Sequence, residues 1–220
     1  MEVDIWLSSD GVAFSFHDST LNRASNGVGK ISDHTAAQIR QLDGGSWFGK
    51  SKEFAGEPIA SLADILVAAK GRGRVYVDPK PNMNAALSAA TRDAFVEAGV
   101  DGSCCWIWGK ESIISTFSSY VPTARYLLSI NDIRWETESS SYLATYQRLK
   151  GRGVEGFSIN MNNLKSSKVQ KAMPTIRAAG LWVDAYTPNS VADLELAFSL
   201  GASAVETDYP GRLAELNARP

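Results

Sequence analysis

Short apolar runs alternate with helical segments along most of this chain, and that alternation does most to restrict what it can fold into. The runs expected as strands are Val3–Leu7, with a return at Val12–Phe16, then Arg74–Val77, Cys104–Trp108, Tyr126–Ile130, Gly156–Asn160, Leu181–Ala185 and Ala204–Glu206. Helical patterns lie between them at Leu62–Lys70, Ala85–Glu97, Lys110–Ser118, Ser141–Leu149, Lys168–Ala179 and Val191–Leu200. Gly151, Gly180 and Gly201 fall where helices should stop, a usual place for glycine. Strands that alternate with helices predict an α/β fold with a parallel sheet. With the Val12–Phe16 return set aside, about seven strands remain, one short of a closed (β/α)₈ barrel. Residues 21–61 break the rhythm. They are rich in Gly, Ser and Asn and carry Trp47-Phe48, which predicts a small inserted subdomain over the barrel mouth.

Chemistry gathers near the start of the chain. Glu2 and Asp4 stand one residue apart on the first expected strand, so both point to one face. His17-Asp18 follows a short turn at Asp10-Gly11. Asp78 and Lys80 end a later strand and share a face if Pro79 keeps the extended geometry. Sites in barrel enzymes are assembled at such strand ends. Asp78 could therefore add a third carboxylate to Glu2 and Asp4, with Lys80 to neutralise a phosphate oxygen. Carboxylates beside an imidazole suit a hydrolytic metal centre: hard oxygens for the ion and a proton carrier for the leaving group. The bland readings are surface charges at a frayed terminus for Glu2 and Asp4, a turn for His17-Asp18 and a surface ion pair for Asp78 and Lys80.

The bulk properties exclude several classes. At 220 residues the chain is long enough for one domain of barrel size, and 44% hydrophobic with 21% charged residues is ordinary for a globular protein. A formal charge of -2 gives no electrostatic case for nucleic acid or an anionic membrane surface. No apolar run is long enough for a transmembrane helix. The acidic N-terminus lacks the basic start of a signal peptide, and Cys104-Cys105 could pair only in a strained ring; both observations predict a cytoplasmic protein.

Taken in order, Glu2-x-Asp4, Asp10-Gly11, His17-Asp18-x-x-Leu21-x-Arg23, Gly27-x-Gly29, Trp47-Phe48, Asp78-x-Lys80 and Thr207-Asp208-Tyr209-Pro210 make a set that resembles the glycerophosphodiester phosphodiesterases over nearly the whole chain. The resemblance implies a TIM-barrel-like (β/α)₈ phosphodiesterase fold and hydrolysis of glycerophosphodiesters to glycerol 3-phosphate and an alcohol. It implies one divalent cation, Mg²⁺ or Ca²⁺, held by Glu2, Asp4 and Asp78, with His17 in proton transfer and Lys80 on the phosphate. Trp47, Phe48, Trp108 and Tyr186 are expected at the substrate, with packing as the alternative for the first three; Tyr186 stands where the family has tryptophan. On this reading residues 1–220 form a single barrel-like catalytic domain, and residues 21–61 are a subdomain inserted after the second strand.

Two departures shape the expectation. The family's first βα unit, with its His-Arg-Gly strand end, is absent from the sequence, and Asp78 stands where the family usually has glutamate. His34, in Ile31-Ser32-Asp33-His34-Thr35, looks like part of a helix N-cap and a poor substitute for the family's first histidine. Reduced turnover is expected, the alternative being a catalytically impaired relative that binds a phosphodiester or a protein partner. A barrel without its first strand would present open edges on the strand that begins at Met1 and the one that ends near Thr207, which predicts homo-oligomerisation or strand exchange.

Overall fold

A computed structural model describes residues 1–49, 51–80, 85–130 and 143–217. The chain divides into two compact units, Met1–Ile107 with Thr116–Ala124, and Trp108–Ser115 with Arg125–Pro220.

In the first unit the strands β1 (Glu2–Leu7), β2 (Ala13–Ser15), β3 (Val75–Pro79) and β4 (Cys105–Gly109, its first three residues in this unit) run in the order β2-β1-β3-β4. β1 and β2 form an antiparallel hairpin in which Ile5 faces Ser15 and Leu7 faces Ala13. β1, β3 and β4 are parallel. On β1 the alternation of the pleat is visible in burial: Val3 and Ile5 are buried, while Glu2, Asp4 and Trp6 are partly exposed on the other face. β1, expected to present an open edge, thus carries β2 along Ile5–Leu7, and the Phe16 amide donates to the Asp4 carbonyl at 3.0 Å.

Residues 21–61 hold little regular structure, a 3₁₀ turn at Ile31–Asp33 and a single helical turn at Ala36–Ile39. They nevertheless bury an apolar cluster. Leu21, Ala24, Ile31, Ile39 and Ile59 close on Phe14 and Phe16 of the hairpin and its exit. The cap of the Ala36–Ile39 turn is Thr35, which forms a reciprocal capping box with Gln38. Within the Ile31–Thr35 segment, expected to cap a helix, Thr35 is the cap, while His34 ends the preceding 3₁₀ turn, its Nδ1 donating to the Lys30 carbonyl at 2.9 Å. Ser61 and Asp64 cap the helix Leu62–Ala69 in the same reciprocal way, and Arg40 braces Asp64 at 2.9 Å.

In the second unit β5 (Arg125–Ile130), β6 (Val154–Asn160), β7 (Trp182–Tyr186) and β8 (Ala204–Glu206) are parallel and in sequence order. Helices run over 143–149, Ser167–Ala178, Val191–Ser199 and Gly211–Asn217. The expected helix from Ser141 begins outside the described residues. After the Lys150–Arg152 turn the left-handed residue is Gly153 (φ 83°), not the Gly151 that sequence pattern favoured. Gly201 (φ 95°) closes Val191–Ser199 as expected: its amide donates to the Phe198 carbonyl and that of Ala202 reaches back to Ala197.

One polar row crosses this unit's sheet. Ser129, Ser158 and Asp184 are register partners on β5, β6 and β7, and all are buried. The Ser158 hydroxyl donates to Asp184 Oδ2 at 3.2 Å, while Asp184 Oδ1 has no protein partner among the described residues. Burial pushes the Asp184 carboxyl up to about 6, offset in part by hydrogen bonds with the Glu206 and Ser158 side chains. A carboxyl raised in the fold contributes its stability below the ordinary value of 3.8 and loses it as pH rises through about 6. Asp184→Asn is therefore expected to stabilise the protein at pH 7.5, by on the order of 1 kcal/mol. The gain should shrink between pH 6 and pH 4. Urea unfolding at several pH values checks this, and a variant less stable at pH 7.5 would refute it.

Candidate active site

Strand register, more than any single residue, builds the candidate metal centre. In the β1–β3 ladder Glu2 lies opposite Tyr76 and Asp4 lies opposite Asp78. Paired residues of a sheet send their side chains to one face, and residues two apart on a strand do the same. Glu2, Asp4, Asp78 and Lys80 are therefore delivered to one side of the sheet by backbone pairing alone. Pro79 does not interrupt this: it pairs with Ile5, and the Lys80 amide continues the ladder to the Ile5 carbonyl at 2.9 Å.

One carboxylate oxygen from each of Glu2, Asp4 and Asp78 can be chosen so that all lie within 4.8 Å of one another. Like charges directly opposite on paired strands repel, so this arrangement needs a cation. Lys80 supplies part of it. Its ammonium lies 2.5 Å from Asp78 Oδ2 and 3.0 Å from Asp4 Oδ1. Asp4 and Asp78 thus share one lysine, in a setting where Asp78 is buried. Burial pushes the Asp78 carboxyl up to about 6 despite the lysine. The two carboxylates in turn hold the Lys80 ammonium above the ordinary lysine range, against the cost of burial. Hard oxygen donors at this spacing fit Mg²⁺ or Ca²⁺.

His17 follows the β1–β2 hairpin, and its carbonyl accepts from Trp6 Nε1 at 3.2 Å. Its ring is exposed and Nδ1 lies 2.8 Å from Asp18 Oδ1. Arg23 binds the same carboxylate with both arms, Nε to Oδ2 at 2.6 Å and Nη2 to Oδ1 at 2.9 Å. Arg23 first, then His17, hold the Asp18 carboxyl well below the usual carboxylate range. The Arg23 guanidinium lies 5.5 Å from the centre of the Trp47 ring. Trp47 donates through Nε1 to the Gly44 carbonyl at 2.8 Å and meets Phe48 edge to face, with ring centroids 5.8 Å apart. Phe48 in turn meets Phe54 at 5.7 Å.

The remaining expected substrate residues belong to the second unit. There Trp108 and Tyr186 pack on each other, their ring centroids 5.2 Å apart. The Thr207-Asp208 signature is a clamp between the loops that follow β7 and β8. Asn189 Oδ1 accepts from Thr207 Oγ1 at 3.2 Å and from the Asp208 amide at 3.0 Å, and its Nδ2 donates to Asp208 Oδ2 at 2.6 Å. Sequence reasoning missed Asn189. Its signal was weak: an Asn two residues after Thr187, with no partner visible until the loops meet. Arg23 belongs to the His17-Asp18-x-x-Leu21-x-Arg23 motif, and its grip on Asp18, five positions earlier, has no periodicity to betray it.

Comparison with known proteins identifies the relatives of this arrangement. The sequence pattern of the Glycerophosphoryl diester phosphodiesterase family matches residues 1–212. A "Glycerophosphodiester phosphodiesterase" of Bacillus subtilis (strain 168) is 25% identical over 226 residues, covering 96% of this chain and 73% of the relative. Among solved structures, an Oleispira antarctica phosphodiesterase in complex with the product sn-glycerol-3-phosphate superposes with a TM-score of 0.80 at 23% identity, over 99% of this chain and 84% of that one. A glycerophosphodiester phosphodiesterase from Agrobacterium tumefaciens gives a TM-score of 0.73 at 21% identity, over 97% of this chain and 85% of the other. These structures show the fold that this chain shares, an α/β, TIM-barrel-like architecture.

Proposed function

Because the chain belongs to the glycerophosphoryl diester phosphodiesterase family, we propose that it hydrolyses glycerophosphodiesters to glycerol 3-phosphate and an alcohol, dependent on a divalent cation. The observation that carries this reading is the cluster of Glu2, Asp4 and Asp78 with oxygens within 4.8 Å of one another, beside Lys80. These carboxylates would hold Mg²⁺ or Ca²⁺, which when bound would polarise the phosphoryl oxygens and offset charge that develops on them. Lys80 binds a phosphate oxygen with its ammonium, a group that Asp4 and Asp78 keep protonated at any working pH. His17 carries a proton on Nε2 between the reacting oxygen and solvent, since Nδ1 is engaged by Asp18. Trp47 and Phe48 bind the substrate in this reading. Residues 21–61 act as a subdomain that supports the site within one catalytic domain.

Turnover is proposed to be lower than a glutamate at position 78 would allow, since the Asp78 side chain is one methylene shorter. Association of copies or strand exchange covering the open barrel edge also belongs to the proposal, with light scattering as its check. So does a cytoplasmic setting, supported by the free thiols of Cys104 and Cys105. No helix among the described residues is long and apolar enough to cross a membrane.

The test is glycerol 3-phosphate release from a panel of glycerophosphodiesters with Mg²⁺, Ca²⁺ or EDTA. Turnover that EDTA abolishes and one of the cations restores is expected; release unaffected by chelation would exclude the metal-dependent reading. The pH dependence has a definite sign. Below about 6 a proton on Asp78 competes with the cation, so affinity should fall by up to about tenfold per pH unit there and level off above. Calorimetric titration between pH 5 and pH 8 reads it directly, and a flat profile would contradict it.

A further inference from the structure

We propose that Asp18, Arg23 and Trp47 form a positioning chain that fixes His17 in the tautomer with its proton on Nδ1. The inference rests on His17 as the proton carrier, and it gives residues 21–61 a share in setting that residue. His17 Nδ1 lies 2.8 Å from Asp18 Oδ1. A carboxylate next to a histidine in sequence is free to swing between rotamers, and an exposed pair of this kind is ordinarily worth little. Here the swing is stopped. Arg23 grips both oxygens of Asp18, at 2.6 and 2.9 Å, and a planar guanidinium can do so in one orientation only. The Arg23 guanidinium is itself backed by the Trp47 ring at 5.5 Å. That ring is tied to the Gly44 carbonyl and braced by Phe48 and Phe54.

Each link removes freedom from the next. Asp18, fully ionised under the pull of Arg23, accepts a hydrogen bond and has no proton to give. Its acceptor therefore selects Nδ1–H, and Nε2 is left as the nitrogen that takes and returns a proton. Trp47 and Arg23 act through Asp18 and are positioning residues. This moves Trp47 from a simple substrate contact to the backing of a catalytic histidine.

The chain contains two histidines, His17 and His34, so both can be followed in a long-range ¹H–¹⁵N spectrum. His34, bound through Nδ1 to the Lys30 carbonyl, is an internal reference outside the chain of contacts. At pH 8 the native protein should show His17 with its proton on Nδ1. In Asp18→Ala the ratio should move to the Nε2–H form that free imidazole prefers, with kcat down roughly 10–100-fold and KM little changed. Arg23→Ala should give a partial shift and a smaller loss of kcat. Arg23→Lys, which restores charge but not the two-armed grip, should lie between Arg23→Ala and the native protein. Trp47→Leu should resemble Arg23→Lys. A tautomer ratio unchanged in Asp18→Ala and Arg23→Ala would overturn the proposal, even if turnover falls. Full turnover in His17→Ala would overturn its premise instead, and the two failures are distinct because the spectrum is read without substrate.

Discussion

His17→Ala is expected to lower kcat for glycerophosphodiester hydrolysis by roughly 10²–10⁴-fold, the range for loss of a positioned proton carrier. The imidazole is exposed, so its removal leaves no cavity, and the fold should keep its thermal midpoint. Cation affinity should also hold, because the carboxylates of Glu2, Asp4 and Asp78 come from β1 and β3 and not from the loop that carries His17. KM should move little. His34→Ala is the matching control and should retain turnover, since its ring is engaged with the Lys30 carbonyl at the end of a 3₁₀ turn. Equal loss in both variants would point to general damage rather than to a role for His17. Retention of turnover in His17→Ala would rule out the assignment outright.

Asp4→Asn should separate binding from folding. Asp4 faces Asp78 across the β1–β3 ladder, and Glu2 adds a third carboxylate to the same face. Neutralising one of them relieves repulsion that Lys80 alone cannot cancel. The thermal midpoint of the metal-free variant should therefore rise by a few degrees, about 1 kcal/mol of stability. Cation affinity should fall about 10–100-fold and turnover with it, because one of three charged oxygen donors is gone. Stability gained as activity is lost marks a site built against the preference of its own fold. A surface ion pair would respond oppositely, with a small loss of stability and no change in cation affinity. Differential scanning with and without Mg²⁺ or Ca²⁺, beside a turnover assay, distinguishes the two. A variant that keeps native affinity would remove Asp4 from the candidate metal centre.

How much of this was legible beforehand follows from the range of each interaction. Strand identity was readable wherever the apolar run was short and bounded, as at Tyr126–Ile130 and Ala204–Glu206, since a short apolar run between polar segments is a local signal. The pairing of Glu2 with Asp4, and of Asp78 with Lys80, was readable because one strand alternates by itself. The capping residues were nearly so; Thr35 rather than His34 caps the helical turn because the Gln38 side chain is long enough to bond back to the Thr35 amide. Residues 21–61 were recognisable only as an interruption. Their cohesion comes from Leu21, Ile31, Ile39 and Ile59, whose spacing follows no period because they converge on Phe14 and Phe16 from separate turns and loops.

What the sequence determined by itself was the α/β alternation, the faces of individual strands and the residue types available for phosphodiester chemistry. Tertiary structure decided the rest. It chose the register that sets Asp4 against Asp78, the grip of Arg23 on Asp18 and the clamp of Asn189 on Thr207 and Asp208. The reason is physical. A strand's periodicity is a property of one backbone, whereas register and side-chain pairing are set by packing between segments distant in sequence, as between Asp4 and Asp78. A carboxylate pair of this kind acquires its mutual repulsion, and so its appetite for a cation, only once both strands lie side by side.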